Sequence, residues 1–331
     1  EFIMQKITEV DEVNMTLLGL FMSKYVNGVA KRHKEITEEM FPGYRIDSIT
    51  NGIHPPTWVC PSFKELFDKK IPGWGVDPFT LRYALSIPKD EIWNAHYQAK
   101  ANLINYINQS TNLGFHIDRF TIGYARRFTG YKRPSLILYD LNRLKQIGEA
   151  VGDIQIVFAG KAHTNDYEGK ELINMVNKIA REINNENCRV KIVFLPNYDM
   201  KLSRMMVSGC DVWLNTPQRP YEASGTSGMK AALNGVPQIS TIDGWWVEGH
   251  IENQTGWSIG PNVNEPGYDK DYDGVDEAED LYKKLKEIII PMFYSNREKW
   301  TEIMRHSIAI NASFFNTRRM AEQYIANAYM D

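Results

Sequence analysis

Cysteine is scarce. Cys60, Cys188 and Cys210 are odd in number and far apart in a chain of 331 residues. None stands in a paired ligand spacing, so no zinc or other metal site is expected, and a reducing compartment fits best. Long apolar runs are also lacking: Ile154 to Gly160 and Ile288 to Phe293 are far too short to span a bilayer. No cationic-then-apolar leader opens the sequence, so a cytoplasmic, soluble protein with no membrane partner is expected. The net charge is only −3, which offers nucleic acid no general attraction, and any anion site must be built locally. Internal repeats and low-complexity tracts are absent as well.

What is present is an ordinary globular balance, 43% hydrophobic and 24% charged, over a length that leans towards about two domains. Residues 14–40 read as one helix, with Met15, Leu18, Phe21, Met22, Tyr25, Val26 and Val29 at three- and four-residue intervals. Asn51-Gly52 and Pro55-Pro56 then mark a loop, and a long helix is expected from Lys89 to Thr111. From Phe120 short β-rich runs (120–125, 154–159, 190–195, 212–215, 237–241) alternate with helical patterns (135–150, 169–184, 200–208, 227–233). That alternation predicts an α/β fold with a doubly wound parallel sheet. Residues 256–272, rich in Gly, Pro, Asn and Asp, read as a surface loop, and the chain after Gly274 reads as charged helices whose stretch 276–286 is a solvated face.

Two loops fall where such sheets bind ligands, beyond the carboxyl ends of strands. In the first, Arg126, Arg127, Lys132 and Arg133 place four cations within eight positions. This is sound anion-binding chemistry, but a merely solvated basic loop would look the same. The second, Tyr221 to Lys230, sets Gly225 and Gly228 among small residues before a short helix that holds Lys230. It is not a P-loop, because Met229 and Ala231 flank the lysine. His33, His96, His116 and His306 have no evident partners and read as ordinary histidines, while His54, His163 and His250 lie near site loops. Trp245-Trp246 could stack on a sugar or pack under the sheet edge, and Met200, Met205 and Met206 are most simply core.

The segment Glu222-Ala223-Ser224-Gly225-Thr226, followed by Met229-Lys230, resembles the pyridoxal-phosphate segment of the α-glucan (glycogen, starch or maltodextrin) phosphorylases. Tyr131-Lys132-Arg133 resembles their phosphate-binding segment. Asn14-Met15, Val26 to Ala30, Thr50 to Ile53, Trp58, Gly160 to Ala162, Asn197-Tyr198 and Phe315 to Met320 match in the same order, the last resembling the short bacterial and archaeal branch. The resemblance implies pyridoxal 5′-phosphate as cofactor, with α-1,4-glucan and inorganic phosphate as partners, and a Rossmann-like carboxy-terminal domain of a two-domain glycosyltransferase. It implies that Lys230 forms the Schiff base, that Arg126, Thr226 and Ser227 face the cofactor phosphate, and that Tyr198 and Trp58 pack around its ring. Arg127 and Lys132 would hold the substrate phosphate, while Glu222, Ser224, Gly225 and Asn51 would serve the sugar. The implied reaction is phosphorolysis to α-glucose 1-phosphate with retention.

The expected division is residues 1–50 as the tail of an incomplete amino-terminal domain, 51–310 as the cofactor domain and 311–331 as a helix crossing back. The family's amino-terminal glycine-rich loop and histidine have no counterpart here, so a fragment or half-enzyme, inactive alone, is expected; a homodimer is open. Thr129-Gly130, Ser227-Gly228 and Asp199 depart from the long-chain pattern, and no phosphorylation control is expected. Two alternatives remain: a retaining nucleotide-sugar glucosyltransferase of the same architecture, and a non-catalytic glucan-binding or regulatory module.

Overall fold

The computed structural model describes residues 8–9, 12–268 and 274–330. Six strands form one parallel sheet: β1 (Phe120–Arg127), β2 (Ile154–Lys161), β3 (Val190–Leu195), β4 (Val212–Asn215), β5 (Gln238–Thr241) and β6 (Gly256–Ile259). Their spatial order is β3-β2-β1-β4-β5-β6. The order therefore reverses between β1 and β4, and a crevice opens there at the carboxyl ends of the strands. The helices used below are α1 (Met15–Met22), α2 (Lys31–Met40), α3 (Pro61–Lys70), α4 (Lys89–Ser110), α5 (Leu141–Val151), α6 (Tyr167–Asn185), α7 (Met200–Gly209), α8 (Ser227–Leu233), α9 (Val275–Lys284), α10 (Arg297–His306) and α11 (Thr317–Tyr324).

Both faces of the sheet are covered, and the alternation along β2 shows it. Ile156 and Phe158 join a large apolar cluster with Leu144 and Ile147 of α5 and Val176 of α6. Val157 and Ala159 point the other way, into a cluster with Leu103 and Ile107 of α4 and Leu202 and Met206 of α7. Helix starts are set by short polar side chains. Asp140, Asp166, Asp199, Asn296 and Asn316 each accept a backbone N–H from the first turn of the helix that follows.

Five expectations are corrected. The helix expected over 14–40 is two helices, because 23–30 is extended and Asn27–Gly28 pairs in parallel with Asp47–Ser48. A side chain at Gly28 would strike the Lys34 backbone at 2.6 Å, so this stretch approaches α2 too closely to continue the helix. The loop expected over 256–272 begins as buried edge strand β6, whose Trp257 stacks on Trp300; residues 269–272 lie outside the described ones. Met200 is exposed rather than core. The solvated face expected over 276–286 carries the buried Glu277, paired with Arg133 and Arg219. Finally, three of the histidines expected to lack partners have them: His33 Nδ1 accepts from Val29 N–H, His116 Nδ1 accepts from Asp118 N–H, and His96 with Lys100 meets Asp211 in a buried network at the amino ends of β1 and β4 (Nε2 to Oδ1 3.0 Å, Nζ to Oδ2 2.6 Å).

Glu248 and Arg319 are among the residues that tie the opening segment to the rest of the chain, as is Tyr324, whose hydroxyl accepts from Asn27 Nδ2. Glu248 accepts hydrogen bonds from Lys31 N–H and the Thr50 hydroxyl. On α11, Arg319 donates to the Thr50 and Asn51 carbonyls.

Candidate active site

The basic loop leaves β1 at the point where the strand order reverses, and its charges divide into three kinds. Arg133 is structural: its backbone is left-handed (φ 46°), and its guanidinium donates to the carbonyls of Thr216 and Pro217 and pairs with Glu277. Arg126 and Lys132 turn inward onto one carboxylate. Arg126 Nη2 lies 2.9 and 2.8 Å from the two oxygens of Glu222, and Lys132 Nζ lies 2.5 Å from Oε2. Arg127 is exposed and makes no ion pair among the described residues.

This cluster is buried and incompletely satisfied. Glu222 and Lys132 retain 8% and 9% of their exposure. Arg126 Nε and Nη1, Thr129 Oγ1 and Ser224 Oγ are buried with no hydrogen-bond partner. Two cations against one carboxylate leave a net positive charge, and buried N–H groups without acceptors are costly. An oxyanion with several acceptor oxygens fits that donor set.

The loop after β4 brings the second group of residues to the same place. Arg126, Glu222, Ser224 and Gly225 line one narrow cavity with Asn215, Trp245 and others. Its shape is held from β5: Asp243 accepts N–H groups from Glu222 and Gly244, each at 2.9 Å, and Trp245 N–H donates to the Ser224 carbonyl. Gly244 is required there, since its φ is +54° and a Cβ would lie 2.4 Å from the Ser224 carbonyl oxygen. Burial pushes the Asp243 carboxyl up to about 6, against the two N–H groups that favour its charge; the neighbouring Glu222 adds to the rise.

Thr226 makes no side-chain cap for α8, so the first N–H groups of that helix keep their directions free of it. The Ser227 hydroxyl accepts from Trp213 Nε1 at 3.1 Å. One turn on, the Lys230 ammonium makes no hydrogen bond or ion pair among the described residues and lies 3.9 Å from the centre of the Trp58 ring. Burial lowers the Lys230 pKa, which enlarges its neutral, nucleophilic fraction. Asn234 fixes this pair by donating to the carbonyls of Trp58 and Lys230. Tyr198 is half-buried, donates to Ser203 Oγ at 2.9 Å and lies within electrostatic reach of Arg126.

Asn51 is the outlier among the expected site residues: its backbone is held by Val29 and Arg319, and its side chain makes no hydrogen bond with the others. Trp245 and Trp246 are buried, with Trp245 edge-on to Phe315, so they pack rather than present a stacking face. Asp243 is not among the site residues expected from the sequence. Its signal was an Asp-Gly pair directly after a β run, a turn at a strand's carboxyl end like the two loops that were singled out.

Strand order, crevice and buried cations together define a doubly wound parallel α/β domain with a cationic crevice where its strand order reverses. Residues 3–309 match the profile described as carbohydrate phosphorylase, and the chain belongs to that family. It is 41% identical to a maltodextrin phosphorylase of Thermococcus litoralis over 97% of this chain and 41% of that protein. Identity is 36% to a glycogen phosphorylase of Aquifex aeolicus (96% of this chain, 49% of that one) and 33% to one of Mycobacterium tuberculosis (96% and 40%). The chain thus spans half or less of the length of these relatives.

Proposed function

We propose that this chain supplies the cofactor and phosphate sites of an α-glucan phosphorylase, which transfers a terminal α-1,4-linked glucosyl unit to inorganic phosphate with retention. The observation that carries the reading is the buried Arg126–Glu222–Lys132 cluster with its unpartnered donors, on the same loop system as the desolvated Lys230. Relatives named maltodextrin and glycogen phosphorylase support the substrate class.

The residues fit pyridoxal 5′-phosphate. Lys230 would hold it through an amine with no competing polar partner, Trp58 and Tyr198 would flank its ring, and Arg126 with the backbone of Thr226 and Ser227 would meet its phosphate. When bound, the cofactor would supply a phosphate able to support proton transfer. Arg127 and Lys132 hold the substrate phosphate and offset the repulsion between the two anions. Ser224, Gly225 and the Glu222 carboxylate orient sugar hydroxyls, with Asn51 at the edge of the glucose site.

The test is borohydride reduction of the chain incubated with pyridoxal 5′-phosphate, followed by peptide mapping. A pyridoxyl adduct is expected on Lys230. An adduct elsewhere, or none, would favour the nucleotide-sugar glucosyltransferase reading, which has no use for Lys230 as a covalent anchor.

A further inference from the structure

Glu222 occupies donors that an oxyanion would need. Its carboxylate takes Arg126 Nη2 and Lys132 Nζ, yet leaves Arg126 Nε and Nη1 buried and unmatched. A guanidinium presents five N–H donors and an ammonium three, so one planar carboxylate of single charge satisfies a minor part of the pair. A tetrahedral dianion offers more acceptors and more charge to the same atoms.

The backbone and side chain of Glu222 are held very differently. Asp243 pins its N–H at 2.9 Å, so the main chain stays where the loop puts it. Among the described residues the carboxylate is held by the two cations alone. Gly225, three residues along with φ +77°, and the unpartnered Ser224 hydroxyl leave small, polar surroundings for a rotated side chain.

We propose that Glu222 is an internal competitor for phosphate oxyanions: in the chain without cofactor, where Arg126 and Lys132 are both open to one anion, phosphate binding at the two cations and release of the Glu222 carboxylate from them are a single event. The inference rests on reading the basic loop as an oxyanion site and goes beyond it. It makes phosphate binding the step that frees Glu222 for sugar hydroxyls. A chain without phosphate would keep that carboxylate locked, so sugar engagement would follow phosphate.

Titration calorimetry of the purified chain with inorganic phosphate, without cofactor, tests it. Removing a competing charge-assisted contact should tighten phosphate binding about tenfold or more in Glu222→Gln relative to the unaltered chain. Equal or weaker binding in Glu222→Gln would overturn the competition, because the carboxylate would then be ordering the cations for the anion. No phosphate binding by either form would overturn the oxyanion-site reading itself, and the inference with it. Should Glu222→Gln not fold, a crystal structure of the unaltered chain with phosphate decides. Glu222 more than about 4 Å from Lys132 Nζ is expected; a carboxylate still paired with both cations beside the bound anion would refute the proposal.

Discussion

At the scale of single residues, Asp243 carries the clearest pH signature. A carboxyl raised to about 6 in the folded protein, against 3.8 for its ordinary value, stays protonated while the unfolded chain has already ionised. The folded state then holds more protons, so stability falls as pH rises from about 4 to 6, by roughly 3 kcal/mol in all. Asp243→Asn removes that slope, although it leaves one of the two backbone N–H groups facing a donor, at about 1–3 kcal/mol. Urea unfolding of both proteins from pH 4 to 7 should show the deficit of Asp243→Asn shrinking as pH rises. A constant difference would place the titration elsewhere.

At the scale of elements, α9 does more than cover the sheet. Its Glu277 is 1% exposed and pairs with Arg133 at the end of the basic loop and with Arg219 at 3.0 Å. Removing one partner of a buried ion network strands the others, at about 3–5 kcal/mol. Glu277→Ala should therefore lower the urea midpoint by that order and weaken phosphate binding as the loop loses its anchor; a loss below about 1 kcal/mol would mean that the carbonyls of Thr216 and Pro217 suffice. Glu277 also marks a limit of legibility. Its sequence neighbours Asp276, Glu279 and Asp280 make the helix look uniformly solvated, and nothing local announces that Arg133 and Arg219 arrive from distant loops. By contrast β3, β4 and α8 were legible to the residue, because buried parallel strands leave near-continuous apolar runs between turn residues. The edge strand β6 was not: Gly256 and Ser258 break the apolar run, and its burial comes from Trp300 and Glu252, far away or out of pattern. Of the site, the cations and Lys230 were visible as types at strand ends. The pairing of Glu222 with those cations was not, since it spans 90 residues to Lys132 and 96 to Arg126.

At the scale of the whole molecule, a chain of net charge −3 concentrates unmatched positive charge in one buried crevice. That arrangement is a standing cost in the fold, because Arg126 gives up hydration without full compensation. A ligand that supplies the missing acceptors should therefore stabilise the entire chain, by about 2.7 kcal/mol at a hundredfold excess over its Kd. The melting temperature should rise with phosphate concentration by several degrees. The rise should be steeper with phosphate than with chloride at equal ionic strength, because general screening acts on the exposed pairs and not on a buried tetrahedral fit. Lys132→Ala should abolish the phosphate-specific part while leaving the chloride response. A shift identical for the two salts, or one that survives in Lys132→Ala, would show that the crevice is not where the anion acts.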